Sequence, residues 1–292
     1  MQLDLASALP PVFSATAWHY TTTNGFIGIV RDGKLWATGI AHLNDARELE
    51  YALDTVRSAW ATIRSSFEDE TDRFVDTIMS TATGAASGGS VFVACASKNR
   101  DDLGQWRGYG DYAVGIDASV RLAPGVSLST GIAGDGHWRD VLYDPREQFD
   151  ACERVLRVVA GMRERIGPYA GVEPEECFTS AYFLLGTLMP LLKHRGFASE
   201  CEVRCSTTKP FFTQPSFRPG RFSVVPYLEM RPLGGSLLPI SRVLVGPTPH
   251  MDTAVNGAKE LLDAFDYVVD QHADPTERET IAVDPSDIAF RT

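Results

Sequence analysis

Lys193-His194-Arg195-Gly196-Phe197-Ala198-Ser199-Glu200-Cys201-Glu202-Val203-Arg204-Cys205 opens on three basic residues and closes on an alternation of charged and small apolar side chains. Successive side chains of an extended chain point to opposite faces. A strand over 200–206 therefore gathers Glu200, Glu202 and Arg204 on one face, with Cys201, Val203 and Cys205 on the other. Burying the apolar face fixes the register. At about 3.3 Å of rise per residue, the charged face carries two carboxylates roughly 6 to 7 Å apart with a guanidinium beyond them. Such a row is either a solvated edge with Glu–Arg pairing, which contributes little to stability, or the wall of a site.

Outward from that strand, the elements mix without a regular alternation. Strands are expected at 17–23, 34–39, 90–97, 112–117, 139–143, 222–231 and 240–245, and a single helical turn at Phe26, Ile29 and Val30. Leu49, Leu53, Val56, Trp60, Ile63 and Phe67 recur at spacings of three and four and predict an amphipathic helix. Asp45 and Glu48, three apart at its start, have the form of a capping box. Further helices are expected over 72–83, from Pro145 to about 166, from Pro174 to near Gly196, and around Val255, Leu261, Leu262 and Phe265. Residues 84–89 read as a flexible connection and 98–111 as a polar, glycine-containing loop. The pattern predicts one α+β domain over 1–292, with the helices of about 145–196 as an insertion or cap.

Composition narrows the function classes. A formal charge of −11 argues against a broad non-specific nucleic-acid surface, which works by neutralising phosphates, but leaves room for a local basic pocket. The five cysteines form no Cys-x-x-Cys pair and are expected to be reduced and buried, in a cytoplasmic protein without a zinc site. The first residues lack the positive region of a secretory signal. The most apolar window, 181–192, is too short to span a bilayer, so no membrane partner is expected. No Walker loop, Gly-x-Gly-x-x-Gly, His-Glu-x-x-His or Gly-x-Ser-x-Gly motif occurs. A dinucleotide, if bound, is not held in the Rossmann manner.

Three further constellations carry chemistry. His19-Tyr20-Thr21 lies on a short strand, where His19 either bonds a ligand hydroxyl or is satisfied by backbone. Asn44 precedes the capping pair and is not explained by it. Trp106 and Tyr109, set among glycines, either line a slot for a flat ring or pack as a plug beneath a loop. Paired carboxylates such as Glu200 and Glu202 suit glycosidic chemistry, where an oxocarbenium-like transition state needs a nearby anion.

In order and spacing, His19-Tyr20, Asn44-Asp45…Glu48, Trp106…Tyr109, Phe197…Glu200-Cys201-Glu202-Val203-Arg204 and Ile240…Gly246-Pro247 resemble a widespread bacterial family of unassigned function, over roughly residues 15–265. An early strand histidine, a central aromatic and a late strand glutamate are also similar to the His-Tyr-Glu signature of ADP-ribosyltransferases. That resemblance implies a split, mostly antiparallel sheet with flanking helices and NAD as substrate. Its catalytic group would be Glu202, Glu200, His19 and Tyr109, with Tyr112 as the alternative aromatic. NAD would be held by His19, Tyr20, Thr21, Asn44, Trp106, Tyr109 and Arg204, with Lys209, Arg218 and Arg221 as candidate contacts for pyrophosphate or acceptor. The acceptor would be a macromolecule, protein or nucleic acid, or water, with a cognate inhibitor as a further partner. The resemblance also implies a toxin or an antiviral-defence effector. The alternatives from other classes are a non-catalytic ligand-sensing or protein-interaction module, and a nucleotide or sugar hydrolase using Glu200 and Glu202.

Overall fold

Val91-Phe92-Val93-Ala94-Cys95-Ala96-Ser97 carries no charge over its seven residues, and the sheet is built around it. In the computed structural model, residues 5–43, 47–124, 136–163, 174–209, 213–220, 223–235, 237–268 and 280–289 are described. In chain order the elements are α1 (Leu5–Ala8), β1 (Thr16–Thr21), α2 (Thr23–Asp32), β2 (Leu35–Gly39), α3 (Glu48–Ile63), α4 (Asp69–Ser87) and β3 (Val91–Ser97). Then come α5 (Leu103–Tyr109), β4 (Tyr112–Asp117), β5 (Leu122–Pro124), β6 (Trp138–Asp140), α6 (Pro145–Arg163), α7 (Pro174–Leu188) and β7 (Glu202–Thr208). The last are β8 (Ser216–Pro219), β9 (Val224–Pro232), β10 (Ile240–Val245), α8 (Met251–Ala264) and β11 (Val283–Pro285).

The strands form one mixed, mostly antiparallel sheet. Its main path runs β11-β10-β4-β1-β3-β2-β9-β5, with β7 on β3, β6 on β7 and β8 on β9. Among the described residues, β10–β11 is the only parallel pair of strands. β7 follows one edge of β3 from Val91↔Thr208 to Ser97↔Glu202. The other edge is divided between two strands. β1 meets it at Trp18↔Ser97, whereas β2 takes Val93 and Phe92. The sheet is therefore split between β1 and β2, with the backbone of Cys95 at the fork.

Helices cover both faces. On one, α3, α4, α6 and α7 bury Val56, Trp60, Ile78, Leu156, Leu184 and Leu188 against Val91 and Val93. On the other, α2 and α8 bury Phe26, Val30 and Leu262 against Phe92, Val114, Val203 and Cys205. α6 and α7 share a single core with α3 and α4, so both helices belong to the helical layer.

Local chemistry explains where the elements depart from expectation. The single helical turn expected at Phe26, Ile29 and Val30 is part of the ten-residue α2, capped by the Thr22 hydroxyl and ended by Gly33 in a left-handed conformation. α4 runs through 84–87 in place of a flexible connection. Part of the polar loop is helix α5, whose Asp102 carboxylate accepts from the Gln105 N–H at 3.0 Å. The strand expected from Glu200 begins two residues later, because Arg195–Glu200 is a 3-10 turn.

Gly110, between α5 and β4, has φ +132°, and a Cβ there would lie 2.7 Å from both the Thr21 O and the Thr22 N. That backbone region is essentially restricted to glycine. Gly110→Ala should lose about 2 to 3 kcal/mol in urea unfolding, and a loss below about 0.5 kcal/mol would contradict this packing.

Candidate functional site

Beneath the helical layer, at the N-terminal end of β7, lies a buried ionic cluster of Glu48, Lys193, Glu200, Glu202 and Arg204. Arg204 is its hub and is only 2% exposed. Its Nη1 donates to Glu48 Oε1 and, at 2.6 Å, to the Pro190 carbonyl. Nη2 donates to Glu202 Oε2 at 2.7 Å. Lys193 Nζ donates to Glu200 Oε2 at 2.5 Å and Glu202 Oε2 at 2.9 Å, and lies 3.8 Å from Glu48 Oε2. Three carboxylates thus face two cations, leaving a formal surplus of one negative charge.

Strand alternation puts Glu202 and Arg204 on one face, as expected. Glu200 arrives differently. Cys201 is held at φ 45°, a left-handed conformation uncommon outside glycine, and this kink joins the 3-10 turn to the strand. The Ser97 hydroxyl fixes the turn by donating to the Glu200 carbonyl at 2.7 Å, and the Glu202 N–H donates to the Tyr143 hydroxyl at 3.0 Å. Both carboxylates consequently converge on one ammonium.

The electrostatics are one-sided. Burial alone would raise the Glu202 carboxyl, but Arg204 and Lys193 outweigh it and hold the pKa below the ordinary value. Burial works against Lys193 as well, yet the Glu202 charge and the bond to Glu200 keep its ammonium above the usual lysine range. Glu202 is 7% exposed. Its Oε2 is clamped by both cations, whereas Oε1 has no hydrogen bond to a described residue, and the side chain keeps 9% of its exposure. Glu200 is more open, its side chain being 24% exposed.

The other sequence candidates are distributed around this centre. Trp18↔Ser97↔Glu202 are paired across three strands and share a face, so His19, the next residue, belongs to the opposite face. His19 and Glu202 lie two strands apart, about 10 Å between backbones, and the structure does not bring them side by side. His19 instead sits at the fork of the sheet, its Nδ1 2.8 Å from the Cys95 carbonyl. A carbonyl only accepts, so Nδ1 carries the proton and Nε2 is an acceptor. Burial, opposed by that bond and helped by nearby Arg218, lowers the histidine pKa and keeps the ring neutral.

Tyr20 donates to the Asn99 carbonyl at 2.8 Å, accepts from the Asp102 N–H at 3.1 Å, and meets Trp106 edge-on at 4.6 Å. Trp106 is buried among Trp18, Tyr20, Ala113 and Leu244, with its Nε1 donating to Asp101, which is the plug arrangement. Tyr109 is exposed at the end of α5, in a helix where a loop was expected. Thr21 anchors the β4 end by accepting from the Asp111 N–H. Asn44, like Asp45 and Arg221, lies outside the described residues. Glu48 is no cap: it is buried and paired with Arg204 across 156 positions of sequence. Sequence reasoning assigned no role to Lys193, although its place nine residues before Glu202, beyond an apolar helix, was the available signal.

None of the five cysteines is in a disulfide, and among the described residues no group of three or more His, Cys, Asp or Glu could hold a metal. None of the described helices is long and apolar enough to cross a membrane. No family model, curated protein or solved structure matches the chain.

Breaking a buried ion pair leaves an uncompensated charge. Arg204→Ala should therefore cost about 3 to 5 kcal/mol of unfolding free energy, and a loss under about 1 kcal/mol would show that the cluster does not hold the fold. Since the native His19 pKa is depressed below its ordinary 6.5, its contribution is complete above pH 6.5 and is lost as the pH falls through the native value. Glu202 adds a second loss below its ordinary 4.5. Thermal melts of His19→Gln should show a shallower decline between pH 7 and 5 than the parent, and identical slopes would contradict a buried neutral ring.

Proposed function

We propose that this protein cleaves the nicotinamide–ribose bond of NAD in the manner of an ADP-ribosyltransferase, with Glu202 as the stabilising carboxylate. The observation that carries this reading is the division of labour within one carboxylate. Lys193 and Arg204 both hold Glu202 Oε2, which leaves Oε1 as the oxygen a ligand could engage. A fixed anion of this kind stabilises positive charge without reorganising as the charge develops.

The chemistry balances without an acid catalyst. As the bond from C1′ to nitrogen breaks, its electron pair passes to the pyridinium nitrogen, and nicotinamide departs neutral. Positive charge is left on the ribose, where Glu202 Oε1 accepts the 2′-hydroxyl hydrogen bond and opposes that charge. Water or an acceptor hydroxyl or amine then bonds C1′ and gives up its proton to solvent, with the half-buried Glu200 orienting this nucleophile. The split sheet supports the same reading, as an opening beside β3 is where a dinucleotide would enter. His19, neutral at the fork with Nε2 as acceptor, would take a hydroxyl of the ligand there, away from the reacting bond. A transferred ADP-ribose would go to a macromolecular acceptor, as befits a toxin or defence effector.

Glycoside hydrolysis by a general acid and a second carboxylate is less well supported, since it needs one carboxyl with a raised pKa and that of Glu202 is lowered. The near-complete burial of Glu202 favours a second reading, a non-catalytic ligand-sensing or interaction module in which the cluster is structural. Nicotinamide release on incubation with NAD separates the two. Glu202→Gln should reduce release at least about 100-fold with an unchanged circular dichroism spectrum, and release that persists at the parent rate would eliminate Glu202 as the catalytic group.

A further inference from the structure

Trp36 and Thr38 on β2, Tyr227 on β9 and Arg218 on β8 lie on one face of the sheet. The register requires it: Thr38 pairs with Tyr227, Trp36 with Glu229, and Arg218 with Val225. Trp36 and Tyr227 pack at a tilt of 30°, with ring centroids 4.4 Å apart, and Trp36 is 38% exposed. Arg218 Nη2 donates to the Thr38 hydroxyl at 3.1 Å, which carries the guanidinium over β2. Its Nε is buried with no acceptor, and no carboxylate among the described residues pairs with it. The acid nearest the aromatic pair, Glu229, is already neutralised by Lys34 at 2.6 Å.

A half-buried guanidinium with no counter-ion among the described residues is conspicuous in a chain whose formal charge is −11. It has lost part of its hydration, its Nε–H is unpaired, and its orientation is set by a hydroxyl. An anion that accepts from the fork of N–H donors removes that penalty. Beside it lies a flat aromatic surface. Thr38 is two residues from Trp36, so the guanidinium and the indole are separated by roughly 6 to 7 Å along the strand, a span comparable to that from a nucleobase to its 5′-phosphate.

We infer that this face binds a nucleoside phosphate, with the base on Trp36 and the phosphate on Arg218. Base stacking on an aromatic tolerates any base, so the class is set by the phosphate-to-ring geometry and not by base identity. The site is separate from the Glu202 cluster and stands whether or not Glu202 cleaves a bond. Its ligand is either a free nucleotide or one unit of a single-stranded nucleic acid.

Isothermal titration of the full chain with AMP, adenosine, ribose 5-phosphate and a ten-nucleotide oligothymidylate tests it. AMP should bind at least tenfold more tightly than adenosine or ribose 5-phosphate. Arg218→Gln and the exposed Trp36→Leu should each weaken AMP at least tenfold, whereas Glu202→Gln binds AMP like the parent, so that failed cleavage and failed nucleotide binding are told apart. An oligothymidylate that binds more tightly than AMP, with the same dependence on Arg218 and Trp36, identifies a nucleic-acid strand as the source. Equal affinity for AMP and adenosine, absence of AMP binding, or parental binding by both Arg218→Gln and Trp36→Leu would overturn the assignment.

Discussion

The carboxylate of Glu202, gripped on one side by Arg204 and Lys193, is the interaction on which the rest of the molecule depends. Arg204 simultaneously bonds Glu48 at the start of α3 and the Pro190 carbonyl just beyond α7. One guanidinium therefore ties the sheet to two helices of the layer above it. Bringing these charges out of water costs several kcal/mol per ion, and only a fully paired set returns that energy. Among the described residues the cluster is nearly closed in this sense, with the exception of Arg204 Nε. An acid that is buried, ionised and half-coordinated is poorly explained by stability alone, because apolar side chains of similar volume often serve stability as well.

The split in the sheet gives that acid a setting. β7 satisfies one whole edge of β3, and β1 and β2 divide the other. Where they diverge, the Cys95 carbonyl would lack a strand partner, and His19 supplies its bond. The same fork lies near Arg218 and the exposed Trp36–Tyr227 pair. Acid chemistry at one end of β7 and aromatic and cationic groups on the β2–β9–β8 side are thus features of a single sheet. Their common cause is that β3, uncharged throughout, is paired on both edges and buried under both helical layers.

Much of this was legible in the residues because strand parity is a property of the backbone. Glu202 and Arg204 on one face, and Val203 and Cys205 buried on the other, follow from alternation alone. The stripe of α3 and the uncharged β3 were equally readable. Glu200 was placed on the strand because no pattern signals that Cys201 adopts φ 45°. Glu48 resembled a capping residue because local spacing cannot reveal an arginine 156 positions away. Lys193 joins the centre only once α7 ends and the chain turns back toward β7, a matter of tertiary closure. Trp106 shows the same limit: its spacing to Tyr109 fits a ring slot or a plug, and its contacts with Tyr20 and Asp101 decide for the plug.

The most direct test of the central claim is a crystal structure of the Glu202→Gln protein, or of the parent, with a non-cleavable NAD analogue. The account predicts the side-chain oxygen or nitrogen at the Oε1 position within about 3 Å of the nicotinamide-ribose 2′-hydroxyl, with Lys193 and Arg204 still on the other side of the group. A dinucleotide bound elsewhere while that position faces only solvent would contradict it, and would leave the cluster as a structural tie between sheet and helices.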